Sequence, residues 1–316
     1  MRSLVTGGAG FIGSNLVDAL VEAGDEVVVL DDLSTGREEN LDGALKRGVE
    51  LSVTDITGAD DVASAFADHR PDRCFHLGAQ IDVRRAVTDP AFDARVNVLG
   101  TVNVLEAASV RSTPVVFAST GGAIYGEGAG RDLPLDESAT CAPEAPYGMS
   151  KLAAEGYIDL YARVKGLPGA ALRLGNVYGP RQDPLGEAGV IAIFCGKLAE
   201  GGRPTVFGDG AQTRDYVYVG DVVRAFMRAA SRLTGADSPP FGPFNIGTGV
   251  ESSVLDIVGR LARISGRHDF DPIEAPARAG EVQRISLDCS LAKRELEWSP
   301  EANLDAGLER TLRVLG

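Results

Sequence analysis

Leu4-Val5-Thr6-Gly7-Gly8-Ala9-Gly10-Phe11-Ile12-Gly13 constrains the fold of this chain more than any other stretch. An apolar strand runs straight into spaced glycines. An apolar-periodic stretch (Leu16, Val17, Leu20, Val21) follows and stops at Gly24. Read as Gly8-x-Gly10-x-x-Gly13 between a strand and a helix, it fits the dinucleotide-binding fingerprint. Glycines let the turn tighten and let backbone N–H groups approach a pyrophosphate at the positive end of the helix. A second strand, Glu26-Val27-Val28-Val29-Leu30, stops at Asp31-Asp32. Asp31 thus follows the last glycine by the ~20 residues at which an acid grips the adenosine ribose. A carboxylate there repels a 2′-phosphate, so the pattern favours NAD over NADP. The alternative is a glycine-rich turn with no ligand, which strand, helix and acid together disfavour.

Strands and helices go on alternating through residue 175. Val49–Thr54 and Arg73–Leu77 read as strands, Asn97–Ser109 as a helix and Pro114–Ala118 as a strand. A helix from Tyr147 to Lys165 and the strand Ala170–Leu174 follow. Such alternation calls for right-handed crossovers, giving an α/β fold: a Rossmann-type doubly wound parallel sheet. Ligands then sit beyond the carboxyl ends of the strands, near which Asp31, Asp55, Leu77, Ser119 and Arg173 fall. After Gly175 the texture becomes turn-rich (Gly179-Pro180, Asp183-Pro184, Gly201–Pro204, Ser238–Pro243). We expect a smaller mixed α/β C-terminal substrate lobe from 176–213 and 248–316. The NAD-binding domain then spans 1–175, with a return segment around 214–247.

Lys and Arg number 31 against 45 Asp and Glu, a net charge of −14 that argues against nucleic acid or an anionic membrane as partner. Four scattered cysteines (Cys74, Cys141, Cys195, Cys289) and three histidines form no metal-ligand spacing, so no metal is expected. Reduced thiols, a start that enters a core strand at once and the lack of a long apolar run point to a cytoplasmic protein.

Tyr147 and Lys151, four apart in Pro146-Tyr147-Gly148-Met149-Ser150-Lys151, share one helix face. An ammonium beside a phenol favours the phenolate and so a base usable at neutral pH. Alone the spacing more often marks a solvated helix face; beside a dinucleotide fingerprint it points to proton abstraction.

These residues resemble the extended short-chain dehydrogenase/reductase superfamily, and most closely its nucleotide-sugar 4-epimerases of the UDP-glucose 4-epimerase type. The resemblance covers nearly the whole chain. It rests on Thr6–Gly13, Asp31–Gly36, Tyr147–Lys151, Arg173–Pro180, Gly186–Phe194, Arg214–Val219, Asn245–Gly249 and the short Arg278-Ala279-Gly280-Glu281. It implies NAD held by Gly7, Gly10, Phe11, Ile12, Gly13, Asp31, Asp32, Ser34, Thr35 and Gly36. Asp55, Ile56, Leu77, Gly78, Ala79, Gln80, Tyr147 and Lys151 complete that set. Asn97 joins it, with a purely structural role as the alternative. For a UDP-sugar it implies Asn176 at the diphosphate and Val190, Phe194, Val206 and Phe207 around the uridine. Arg214 and Arg278 would meet the phosphates and Glu281 the uridine ribose. Surface salt bridges are the alternative for the two arginines. It also implies a homodimer built on the Asn97–Ser109 and Tyr147 helices.

The fold hosts several chemistries, so the site must choose. The discriminating stretch is Ser119-Thr120-Gly121-Gly122-Ala123-Ile124-Tyr125-Gly126. Dehydratases of the superfamily place paired acids just after the Thr, and decarboxylases a Glu two positions later. Gly121-Gly122 offers neither, which favours C4 epimerisation over a lyase or reductase. A non-catalytic NAD-binding protein is the remaining alternative. The resemblance aligns the usual sugar-binding serine with Gly121, which carries no hydroxyl. Thr120 is the expected substitute, with Ser119 in reserve, and the two glycines are expected to widen the pocket. Ile285, four after Glu281, stands where the family closes the sugar site. It favours UDP-glucose and UDP-galactose, with N-acetyl, pentose and uronate forms as alternatives. Arg84-Arg85 reads as helix-surface charge rather than a uronate site.

Overall fold

A computed structural model describes residues 1–128, 130–184, 189–234, 242–277 and 282–315. Strands β1 (Arg2–Thr6), β2 (Glu26–Asp31), β3 (Glu50–Val53), β4 (Arg73–His76), β5 (Val115–Thr120) and β6 (Gly169–Leu174) belong to the main sheet. β7 (Asn176–Tyr178), β8 (Thr205–Phe207), β9 (Thr213–Tyr218), β10 (Pro243–Ile246), β11 (Glu251–Ser253) and β12 (Ile273–Ala275) follow. The main sheet has seven strands in the order β10-β6-β5-β4-β1-β2-β3, and all its pairings are parallel. Strand order reverses between β1 and β4, so the crevice for a dinucleotide opens between their carboxyl ends.

Alternation of side chains along each strand explains why both faces are covered. Val5, Val27, Val29, Phe75, Val116 and Leu172 enter one core, beneath the helices Phe11–Glu22 and Val219–Leu233. Their neighbours Leu4, Val28, Leu30, Cys74, Phe117 and Ala171 enter the other, beneath Ala59–His69, Gly100–Ser109 and Pro146–Lys165. The helix expected from Asn97 begins as a π-helical turn, Arg95–Leu99, before Gly100–Ser109.

The C-terminal elements build a separate core around Tyr178, Phe194, Val206, Tyr216, Ile257, Leu261 and Phe270. Here β9 lies centrally in a three-stranded sheet, parallel to β7 and antiparallel to β11. The return to the main sheet therefore starts later than residue 214. The helix Val219–Leu233 and β10 rejoin it, β10 pairing with β6, and the helix Ser290–Glu295 packs on β10. Asp215 links the two parts. Its buried carboxylate accepts from the Thr248 N–H (2.7 Å) and hydroxyl (2.6 Å), and from the N–H groups of Gly249 (2.9 Å) and Leu287 (3.1 Å). A Cβ on Gly247 would lie 2.5 Å from that carboxylate, which is why a glycine stands there. Among the described residues no helix is long and apolar enough to cross a membrane.

Candidate active site

The glycine turn after β1 meets the β4 loop at the point where strand order reverses. Gly7 has φ +68°, and a Cβ on it would lie 2.6 Å from the Gly78 nitrogen. A Cβ on Gly13 would lie 2.1 Å from the Gly7 carbonyl oxygen. Both positions therefore need glycine for the backbone to pack. The helix that follows has no side-chain cap at Gly10 and no acid in its first turn. The orphan N–H groups of Phe11, Ile12 and Gly13, at the helix's positive end, are thus available to an anion. Asp31 is buried at the end of β2. Its carboxylate accepts from the Ala9 and Leu33 N–H groups, each at 2.9 Å, while burial pushes its pKa up. A Cβ on Gly36 would come within 2.7 Å of Asp31 Oδ1, so the glycine leaves the carboxylate room. Asp32 accepts from the Ser34 N–H and hydroxyl, shaping the exposed turn that carries Thr35. Asp55 is exposed and caps the Thr57 N–H at 2.8 Å; Ile56 is buried beneath Gly100. Leu77, Gly78 and Ala79 stay partly open over the crevice. A bare cradle of N–H groups, a ribose-height carboxylate and an open loop fit an NAD molecule.

Beyond the cradle stand Thr120, at the end of β5, and the helix Pro146–Lys165. The Thr120 side chain neighbours the Tyr147 phenol. Lys151 is buried, donates from Nζ to the Ala118 carbonyl at 2.9 Å and lies over the Phe117 ring at 4.7 Å. Burial brings its pKa down to about 8, against the opposing charges of Asp93 and Glu155. Burial, helped by the Asp93 charge, pushes the Tyr147 phenol up to about 12, while the neighbouring Thr120 pulls the other way. One of the three Nζ donors is thus taken by the Ala118 carbonyl. A further positive charge beside the ring is needed to form the phenolate.

The geometry has relatives. Residues 3–247 match the model of the NAD dependent epimerase/dehydratase family. The chain belongs to the NAD dependent epimerase/dehydratase family. It is 45% identical over 314 residues to a UDP-glucose 4-epimerase of Mycolicibacterium smegmatis, covering 99% of this chain and 97% of that one. The crystal structure of a UDP-glucose 4-epimerase with UDP-glucose from Thermotoga maritima superposes with a TM-score of 0.93 at 42% identity, covering 99% and 98% of the two chains. A Thermus thermophilus UDP-glucose 4-epimerase in complex with NAD gives 0.89 at 40%, covering 100% and 99%.

Within this epimerase/dehydratase site the two candidate hydroxyls face different ways. Ser119 shares the strand face of Val115 and Phe117, and donates to buried Glu155 at 2.5 Å. Glu155 also takes Arg173 through Nε (3.1 Å) and Nη2 (2.7 Å). Arg173 Nη1 reaches the Tyr125 hydroxyl at 2.9 Å, which donates to Asn245 at 2.8 Å. Ser119 is therefore structural, and the reserve role expected of it is corrected. Glu155 escaped the sequence reading, although it follows Tyr147 and Lys151 at the same helical spacing. Thr120→Val should cut turnover about 10²-fold, at the low end of a proton-transfer contribution. Ser119→Ala should cost mainly thermal stability. Turnover lost in Ser119→Ala alone would reverse the assignment.

Gly121 does not widen the pocket as expected, because the space over its Cα is filled. A Cβ there would lie 2.5 Å from Leu287 Cδ1, and Leu287 is itself pinned by Asp215. Gly122 is different: its missing Cβ would face Asn176 Oδ1 at 3.3 Å and the Thr120 hydroxyl at 3.9 Å. Gly121→Ala should lose stability and turnover in the native background and regain both beside Leu287→Ala. Simple additivity in that double-mutant cycle would contradict the packing.

Other expected residues separate. Ile285 is fully buried with Ile124, Tyr125, Leu135 and Leu287, not at a pocket wall. Phe194 and Val206 are core residues of the C-terminal cluster, whereas Val190 and Phe207 keep some surface. Both corrections follow from apolar residues finding more burial in a core than a groove offers. Arg214 is half-buried on β9 and donates to the Thr213 carbonyl at 2.8 Å. Asn97 clamps Gln80, accepting from its N–H and donating to its carbonyl, each at 2.9 Å, so its role is structural. Gln80 is buried, held by that clamp. Arg278, Glu281 and the Gly186–Ala188 part of its motif lie outside the described residues.

Proposed function

We propose that this protein inverts C4 of a UDP-sugar, interconverting UDP-glucose and UDP-galactose through a 4-keto sugar. The observation that carries the reading is the Thr120–Tyr147 hydroxyl pair at the mouth of the dinucleotide crevice, with Lys151 one turn behind. Tyr147 exchanges a proton with the C4 hydroxyl, Thr120 orients it, and Lys151 holds positive charge beside the phenol. NAD, when bound, supplies a cationic nicotinamide ring that favours the phenolate and the reversible oxidant for C4. The cradle of Gly7–Gly13 holds its pyrophosphate and Asp31 its adenosine ribose. Gly121-Gly122 follow Thr120 where an elimination would place its second acid, which favours return of the hydride to the keto sugar.

Residues 1–175 with Val219–Leu233 and β10 serve NAD, and the C-terminal elements serve the nucleotide sugar. Asn176, Arg214 and Arg278 meet the diphosphate; paired guanidinium donors suit phosphate oxygens. Val190 and Phe207 border the uracil, with Glu281 on its ribose. The two helices expected at a dimer interface expose Leu99, Val110, Met149, Tyr157, Leu160 and Val164. This apolar surface supports a homodimer that pairs them. The acidic chain, with reduced thiols, suits the cytoplasm.

Purified protein incubated with UDP-galactose and no added NAD should form UDP-glucose, because cofactor held by the cradle is regenerated in each turnover. Strict dependence on added NAD, or release of water or carbon dioxide from the sugar, would overturn the reading.

A further inference from the structure

Asp93 is fully buried, yet among the described residues its Oδ2 has no hydrogen-bond partner, whereas its Oδ1 accepts from Gln80 Nε2 at 2.9 Å and Asn97 Nδ2 at 3.1 Å. An orphaned buried carboxylate oxygen is costly, and a native chain that keeps one has a use for it. Asp93 lies in the short helix Pro90–Ala94, which packs on the Tyr147 helix and runs into the π-helical turn of Asn97. The amides of Gln80 and Asn97 therefore hold Oδ1 in place, on a short helix packed against the active-site helix. We infer that Asp93 is a positioning residue of the acid–base pair: its carboxylate is the fixed counter-charge that keeps Lys151 an ammonium beside Tyr147 once water is excluded. The inference rests on reading Tyr147 and Lys151 as that pair.

The surrounding groups leave this role to Asp93. On the Tyr147 helix, Glu155 also acts on Lys151, but it is already bound by Arg173 and Ser119. His76, on β4, is held neutral, its pKa lowered by burial to about 3, and its ring is bonded to Thr6 and Thr101. Arg84 and Arg85, on the helix Val83–Thr88, and Arg95 on the π-helical turn are exposed; Arg85 lies over the Phe92 ring at 3.8 Å. Asp82 and Asp89 accept from the N–H groups that begin the neighbouring short helices. Asp93 acts by charge on both Tyr147 and Lys151, raising the pKa of each.

Removing the charge should therefore let both groups lose their protons at lower pH. Asp93→Asn keeps an oxygen for the two amides and stays close in shape. Its pH–rate profile should move to lower pH on both limbs by about one unit. In mild alkali, turnover should fall up to about tenfold below wild type, with KM for UDP-galactose unchanged. Phenolate absorbance, read as the difference from the same protein carrying Tyr147→Phe, should titrate earlier by a similar interval. Asp93→Ser, smaller and equally neutral, serves the same test if the Asn variant folds poorly. A folded neutral variant whose profile and phenol titration coincide with wild type overturns the inference. The acid–base reading itself fails differently, by Tyr147→Phe retaining its rate.

Discussion

Tyr147→Phe is expected to lower kcat for UDP-galactose conversion by about 10³-fold, within the range for losing a proton-transfer group. That corresponds to about 4 kcal/mol of transition-state stabilisation. The ring stays, so fold and thermal midpoint should change little, and KM should move far less than kcat because the nucleotide is held elsewhere. The phenol is half-buried and neighbours Thr120. Phe removes the only atom on this side chain that can carry the proton. Steady-state kinetics beside a thermal melt checks it: a fall in kcat with an unshifted melt is predicted, and a comparable fall in both would mean a packing role.

Glu155→Ala should produce the largest loss of stability of any single change considered. Glu155 and Arg173 are each about 95% buried, with side-chain exposures of 5% and 6%. Removing one partner of such a pair leaves an uncompensated charge and costs roughly 3–5 kcal/mol. For a chain of this size the melting midpoint should fall by roughly 10 °C. Ser119 loses its acceptor at the same time, and Arg173 loses its carboxylate while keeping Tyr125. Replacing both charges by apolar residues of similar volume, Glu155→Leu with Arg173→Met, should recover most of the loss. Calorimetry on the single and double variants tests this, and a double variant as unstable as the single one would show that the ion pair itself is needed.

The fold was legible because its signals are periodic. Strands apolar on both faces, amphipathic helices and a glycine turn at its proper distance from Asp31 leave few alternatives to a doubly wound sheet. The site was legible where helical or strand spacing speaks. Tyr147 and Lys151 followed from it, and Glu155, the next turn on, was available by the same rule. Ser119 could have been set apart from Thr120 by strand alternation, since it shares a face with Phe117. What spacing cannot reveal is a contact between distant segments. Leu287 fills the space over Gly121, Asp215 pins Leu287, and Ile285 turns into a core instead of a pocket. Nor does a sequence show that Lys151 donates to the Ala118 carbonyl, or that Asp93 keeps an oxygen without a hydrogen-bond partner among the described residues.

The fate of the hydrogen at C4 tests the central claim most directly. UDP-galactose carrying deuterium at C4 should give UDP-glucose with the label still at C4 in ordinary water, because the atom removed is the atom returned. Product in which solvent hydrogen has replaced the label, or a sugar that keeps its C4 configuration, would contradict the account.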